Sequence, residues 1–317
     1  MDVNVRIAGE AGQGIVTAGN ALAGTLSGMG LHVFGTRNYE SRIRGGLNWF
    51  DIRAADRELN SRRETPDILV AMTDEATREL GPGVSDDGVI LAESGEDSRV
   101  LQIDMEGEAK DVTGRKVMAN AIALGACFGL LGYEIEELCD YLQEQFAHSG
   151  QEEGEQNEQC VRRGAELVQD RAASVDAPEP ADAPPSIYDG GEAAGLGAAV
   201  AGVKFATGYP MTPGTAVLTY LSQHDEEYGI VFEQAEDELS AVNMICGATY
   251  AGVPAVTATS GGGFALMCEG LSLSGMMELP IFIVLAQRPG PATGLPTRTG
   301  QQDLKFVING GHGEFPR

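Results

Sequence analysis

The stretch Gly208-Tyr209-Pro210-Met211-Thr212-Pro213-Gly214-Thr215 follows an apolar run and precedes a helical pattern. Its prolines fix φ and stiffen the turn. Thr212 can therefore offer its hydroxyl and amide to a small anionic ligand at little ordering cost. A plain strand-to-helix loop has the same local appearance, and what lies downstream separates the two. Ligands of open parallel sheets bind beyond the carboxyl ends of the strands. Thr212 follows the first predicted strand of this half, Glu233, Glu236 and Glu238 the second, Ser260-Gly261-Gly262-Gly263 the third and Arg288 the fourth. Together they offer a hydroxyl, a carboxylate, a glycine loop for close backbone approach and a cation able to grip a carboxylate in two-pronged fashion. Glu238 is the carboxylate selected, because it falls just inside the helix that continues Leu239-Ser240-Ala241-Val242-Asn243. Glu233 and Glu236 read as residues that complement the helix dipole. Standing alone, Arg288 would read as a solvated loop cation, but it sits in the stiff loop Gln287-Arg288-Pro289-Gly290-Pro291. The following Thr293-Gly294-Leu295-Pro296-Thr297-Arg298-Thr299 suits a pocket wall.

The elements that must position these residues alternate. Val200–Thr207, Ile230–Gln234, Ala255–Ser260 and Ile281–Gln287 read as strands, separated by helices starting at Ala216 and over Glu236–Tyr250 and Phe264–Met277. That alternation implies a parallel sheet with helical crossovers over residues 190–317. Residues 1–150 form another α/β domain, with strands at Val3–Ile7, His32–Gly35, Leu47–Ile52, Ile68–Met72 and Val89–Ala92, a helix over Gly12–Met29 and an amphipathic helix over Val117–Leu131. Residues 151–189 are an exposed acidic helix through Gln169 and a proline-rich linker around Pro178-Glu179-Pro180. The chain stops at Gly313-Glu314-Phe315-Pro316-Arg317, where a further strand is expected, so it reads as incomplete at its C-terminus.

The 317 residues carry 47 acidic and 21 basic side chains, a formal charge of −26. Such a surface repels phosphate backbones, which argues against nucleic acid as a partner. It fits a halophilic source. Cys127, Cys139, Cys160, Cys246 and Cys268 include no CxxC pair and read as buried reduced thiols, not as a metal site or cluster. With no signal-like N-terminus and no apolar run approaching a membrane span, the expected location is the cytoplasm, away from the membrane.

The four motifs in order, Gly208 to Pro213, Glu236-Asp237-Glu238, Thr257 to Phe264 and Gln287 to Thr297, resemble the pyrimidine-binding domain of 2-oxoacid:ferredoxin oxidoreductase α subunits. Gly9-Glu10-Ala11-Gly12-Gln13-Gly14-Ile15 and Ser41-Arg42-Ile43-Arg44-Gly45-Gly46 resemble the γ domain of that family, here fused ahead of α. The resemblance implies a thiamine diphosphate enzyme. Glu238 would hydrogen-bond the aminopyrimidine ring nitrogen, and Tyr209, Pro210, Ser260 and Gly261 would contact the cofactor. Thr212 and Arg288 would bind the 2-oxo and carboxylate oxygens of the substrate, with Thr293 and Thr297 along its distal end. Carbon dioxide would leave, coenzyme A would take the acyl group, and electrons would pass singly through an iron–sulfur cluster to ferredoxin. The diphosphate-binding Mg²⁺ site and the [4Fe–4S] cysteines belong to a β subunit in this family, so this chain alone is expected to be inactive. The substrate implied is 2-oxoglutarate or a broad range of 2-oxoacids, with pyruvate next. Two departures are Gly214, where the family usually carries Ser or Ala, and the stretch near Gly300, where the family carries a more constant acidic residue.

Two other readings compete. Gly9, Gly12 and Gly14 open a helix after a strand, which suits a phosphate or coenzyme A contact. Their G-x-x-G-x-G spacing is not the dinucleotide fingerprint, and no acid for a ribose stands near Met29 to Val33. A noncatalytic relative that only binds partners would be free to lose Thr212, Glu238 and Arg288. The charge reading yields the first prediction. Lowering salt from molar to millimolar should lower the melting temperature, because the Debye length grows from about 3 Å and self-repulsion is no longer screened; a flat thermal-unfolding series would refute it.

Overall fold

The computed structural model describes residues 1–40, 45–146, 151–171, 174–180 and 186–317. These form two units, Met1–Ile187 and Tyr188–Arg317. Residues 41–44 of the arginine motif and 181–185 of the proline run lie outside the described residues.

Along β1 (Asp2–Glu10), Val3, Val5 and Ile7 alternate with Asn4, Arg6 and Ala8, yet both sets are buried. The cause is the strand's central place. With β2 (His32–Asn38), β3 (Leu47–Ala55), β4 (Ile68–Ala71), β5 (Val89–Ala92) and β6 (Val100–Gln102), the sheet order is β2–β3–β1–β4–β5–β6. The pairs β1/β3 and β2/β3 are antiparallel and the rest parallel. The valine face joins one core with α1 (Ile15–Gly28) and α4 (Ala119–Leu131). On the other face Arg6 stands opposite Asp51 in register and donates Nε to Oδ1 at 2.6 Å and Nη2 to Oδ2 at 3.1 Å. Arg6 also donates to the Glu64 carbonyl, and Asn4 Nδ2 to those of Arg63 and Thr65. The polar residues of β1 thus tie down the segment leading to β4, as buried polar groups require. Removing one member of a buried pair of this kind costs about 3–5 kcal/mol.

Two expectations are corrected in this unit. The helix read as amphipathic over Val117–Leu131 starts at Ala119 and is buried nearly all round, with Asn120 its one polar side chain. A helix apolar on every side belongs in a core, and α4 packs against α1, α3 (Met105–Thr113), α5 (Ile135–Phe146) and α6 (Gln151–Leu167). The helix read as exposed beyond residue 150 is α6, and its Cys160 and Val161 are 0% exposed. Backbones touch there: a Cβ on Gly125 of α4 would strike the Val161 carbonyl oxygen, and one on Gly164 of α6 would strike that of Ile122. The charges of α6 pair outward, Arg162 with Glu136 and Glu158, Arg163 with Glu108 and Glu166. A short helix α2 (Asp74–Leu80), capped by Thr73, covers the sheet's other face.

The second unit has the expected parallel sheet, β10 (Phe282–Leu285), β9 (Ala255–Thr259), β7 (Phe205–Gly208) and β8 (Val231–Gln234), in that spatial order. The crossovers are α8 (Thr215–Gln223) with α9 (Asp225–Tyr228), then α10 (Glu238–Tyr250), then α11 (Gly261–Met277). The strand expected over Val200–Thr207 is shorter. Val200 ends the helix α7 (Gly190–Val200), which a capping box of Asp189 and Glu192 initiates. The run Gly-Gly-Glu-Ala-Ala-Gly-Leu-Gly-Ala-Ala-Val has no apolar stripe to announce a helix, so the box is its main signal. One face of the sheet packs Ala206, Val256 and Ala258 on Val217, Leu218 and Leu221. Thr207, Thr257 and Thr259 are also 0% exposed, and Thr207 Oγ1 donates to Met244 Sδ of α10 at 3.5 Å.

The α4–α6 crossing yields a paired prediction. Gly125→Ala should destabilise by about 1–3 kcal/mol through overpacking. Gly154→Ala, also in α6's span but with open space at its Cβ position, should stabilise by about 0.5–1 kcal/mol through helix propensity. Urea denaturation of the two variants reads both signs, and a Gly125→Ala protein as stable as the parent contradicts the crossing.

Candidate active site

The order β10–β9–β7–β8 reverses direction between β7 and β9. The crevice at such a switch point opens beyond the strands' carboxyl ends. The turn after β7 settles onto the end of β9: a Cβ on Gly214 would lie 2.7 Å from the Thr259 carbonyl oxygen and 3.0 Å from its Cα. The bare glycine, one of the two departures noted above, permits that approach.

Glu238 opens α10, but the cap is made by Asp237, whose Oδ1 accepts the Ser240 N–H at 2.6 Å. That leaves the Glu238 carboxylate without a capping task. It is 3% exposed, and its Oε1 has no hydrogen-bond partner among the described residues. The side chain reaches the first turn of α11, where a Cβ on Gly263 would lie 2.7 Å from Oε1 and overlap Thr259 Oγ1. Helix α11 therefore begins at Gly261, earlier than the expected Phe264: its glycines make room for carboxylates. Ser260 holds the N-cap position of α11 at 0% exposure, yet its Oγ caps nothing and has no partner.

Arg288 is not a solvated loop cation. It is 7% exposed, donates Nη1 to the Thr212 carbonyl at 2.8 Å, and keeps a buried Nε without a partner. The structure thus joins Thr212 and Arg288, through the carbonyl of Thr212 and not its hydroxyl. Tyr209 and Pro210 lie exposed on the same turn; Glu233, expected after the second strand, is an exposed residue within β8, and Glu236 is exposed just after it. Thr293 and Thr297 are exposed on the loop between β10 and α12 (Leu304–Asn309). Neither lines the cavity of about 330 Å³ that is bounded by Gly261, Gly262, Arg288, Pro289, Ala292 and Asp303. Asp303 was not singled out from the sequence, where it reads only as a residue preceding a short helix.

Five buried polar atoms of this unit, Glu238 Oε1, Thr257 Oγ1, Ser260 Oγ, Arg288 Nε and Asp303 Oδ2, thus lack partners among the described residues. Native proteins rarely leave such atoms unpaired, and each costs about 1–3 kcal/mol, more when charged.

The glycine loop of the first unit is differently built. Gly12 and Gly14 have φ of 101° and 75°, and Gln13 Oε1 accepts the Glu10 N–H at 2.7 Å. A cavity of about 340 Å³ beside it is lined by Gly12, Thr17, Arg37, Tyr39, Trp49 and Phe50. The strand after α1 is not hydrogen-bonded to β1, because β3 lies between them. That removes the adjacent parallel pair on which dinucleotide binding depends. The five cysteines are free, four of them buried. Burial pushes the Cys127 thiol up to about 12 and that of Cys139 up to about 11, so neither is a thiolate nucleophile. No helix among the described residues is long and apolar enough to cross a membrane.

Residues 4–167 match the pyruvate ferredoxin/flavodoxin oxidoreductase family, and residues 196–316 its thiamine diphosphate-binding domain. The chain belongs to this family. It is 31% identical, over 98% of its length, to a 2-oxoacid:ferredoxin oxidoreductase subunit alpha of Sulfolobus, of which it spans 58%. It is also 31% identical, over 99% of its length, to the 2-oxoglutarate oxidoreductase subunit KorA of Mycobacterium tuberculosis, of which it spans 55%. Its fold is similar to that of the 2-oxoglutarate:ferredoxin oxidoreductase from Magnetococcus marinus with 2-oxoglutarate, coenzyme A and succinyl-CoA bound. The TM-score is 0.87 at 32% identity, over 99% of this chain and 57% of that one. The chain thus spans a little over half the length of these relatives.

Gly263 gives the prediction that belongs to this geometry. Gly263→Ala should clash with Thr259 Oγ1, displace the Glu238 carboxylate and destabilise the chain by about 1–3 kcal/mol through overpacking. Urea denaturation measures this, and unchanged stability would disprove the placement.

Proposed function

We propose that this chain is the α-type component, with γ fused ahead of it, of a 2-oxoacid:ferredoxin oxidoreductase. That enzyme converts a 2-oxoacid and coenzyme A to acyl-CoA and carbon dioxide while reducing ferredoxin. The observation that carries the reading is the buried Glu238 carboxylate with an unpartnered oxygen at the switch point of a parallel sheet. Thiamine diphosphate, when bound, supplies the carbon nucleophile for the 2-oxo carbon and a sink for the electrons released with carbon dioxide.

The chain's own residues bind and orient. Glu238 Oε1 would hydrogen-bond a ring nitrogen of the aminopyrimidine, an interaction strengthened by its dry surroundings. Tyr209, Pro210, Ser260 and Gly261 flank the ring, and the Ser260 hydroxyl offers it a donor or acceptor. Arg288, already anchored on Thr212, directs its remaining N–H groups to the substrate carboxylate, while the Thr212 hydroxyl faces the 2-oxo oxygen. Thr293 and Thr297 meet the substrate's distal end. That substrate is 2-oxoglutarate or pyruvate, and the relatives' names favour the former. The glycine loop beside Trp49 and Arg37 is the element suited to coenzyme A.

Mg²⁺ for the diphosphate and a [4Fe–4S] cluster come with a β subunit, and ferredoxin accepts the electrons. The complex works in the cytoplasm as a hetero-oligomer, and the acidic surface adapts it to high salt. Glu238→Gln, in the chain copurified with its β partner, should lower 2-oxoacid-dependent reduction of a one-electron acceptor by about 10²–10⁴-fold, the usual range for a lost proton-transfer group. Assembly should be unchanged. Full activity in that variant would sink the mechanism.

A further inference from the structure

Asp303 occupies the N-cap position of α12 but makes no bond to that helix's first turn. Its carboxylate is turned onto α11 instead: a Cβ on Gly261, the first residue of α11, would lie 2.5 Å from the Asp303 carboxyl atoms. Its Oδ2 is buried and has no partner. A carboxylate there meets the positive end of a long helix whose own N-cap serine, Ser260, provides no cap.

The same residue closes the loop that carries Arg288. The Asp303 N–H donates to Gln287 Oε1 at 3.1 Å, and the Gly290 N–H donates to Gln302 Oε1 at 2.9 Å. Within the loop the Leu295 N–H donates to the Pro289 carbonyl at 3.0 Å. Two glutamines next to Arg288 and Asp303 thus stitch residues 287–303 shut at the base, and the Asp303 carboxylate packs that base against the first residue of α11. Arg288 and Asp303 line one cavity.

We propose that Asp303 is a positioning residue for Arg288: held against Gly261 at the start of α11, its carboxylate sets where the guanidinium meets an anionic substrate. The inference rests on the function proposed above and adds a residue to it. Asp303 shares a cavity with Arg288, and its part is to hold the loop that carries the guanidinium. It acts through the loop, so its loss weakens substrate capture and leaves the thiamine diphosphate site at Glu238 intact.

The test uses the chain assembled with its β partner and the variants Asp303→Asn and Asp303→Ala. Asparagine keeps the size and the backbone bond to Gln287 but removes the charge. Asp303→Asn should raise the KM for the 2-oxoacid by about tenfold, the effect of a charge at a partly buried helix end. Its kcat and thiamine diphosphate affinity should stay within about twofold of the parent. Asp303→Ala should raise KM further. Hydrogen exchange at the Gly290 and Leu295 amides should speed up in both variants. An unchanged KM in Asp303→Asn overturns the proposal, as does a fall in kcat or cofactor affinity equal to the rise in KM. If the parent complex turns over no 2-oxoacid, it is the functional reading that fails. The exchange rates then decide separately whether Asp303 holds the loop.

Discussion

A buried carboxylate with one oxygen left unpaired is the constraint around which the second unit is arranged. Glu238 Oε1 is shut away from water at 3% exposure, a state that costs free energy unless something outside the chain completes it. Its surroundings serve that state. Asp237 relieves Glu238 of capping, Gly263 gives up its side chain so that the carboxylate fits beside Thr259, and the helix then starts three residues earlier than its apolar pattern suggests. A fold optimised for stability alone would place a small apolar residue at position 238.

Much of this was legible because strand ends are legible. A parallel sheet gathers the residues just after each strand at one end, and that rule singles out Thr212, Glu238, Ser260 and Arg288 from the sequence. The rule states which residues converge but not which atoms meet. The Arg288 bond to Thr212 goes to a backbone carbonyl, which every residue possesses, so no side-chain pattern could announce it. Asp303 was missed for a related reason. An aspartate before a helix has an ordinary local explanation as a cap, and only the coordinates show the carboxylate facing a different helix.

The first unit shows the opposite failure. Its strands were placed except for β6, which was missed, and charge misled the reading of α6, whose many Glu and Gln residues suggest a solvated helix. Burial there is decided by the few residues on one stripe, Asn157, Cys160, Val161 and Gly164, and by glycines that let two backbones touch. Conversely α4 lacks polar residues, so a search for amphipathic pattern found a helix there for the wrong reason. Composition averaged over a helix says less than the identity of the side chains along its closest contact.

Glycine unites these cases. In a chain with 43 glycines, the ready assumption is turns, and Gly12 and Gly14 do serve a turn with positive φ. At Gly125, Gly214, Gly261 and Gly263 the reason is different: the Cβ position is already claimed by a carbonyl, a carboxylate or a hydroxyl of another element. Three of these four lie around the crevice. They convert a sheet edge, where side chains would normally hold backbones apart, into a place where helix N-termini and carboxylates sit at contact distance. Electrostatic interactions strengthen steeply as distance shortens and water is excluded. The glycines are therefore as much a part of the site's chemistry as the charged residues they admit, although they carry no reactive group of their own.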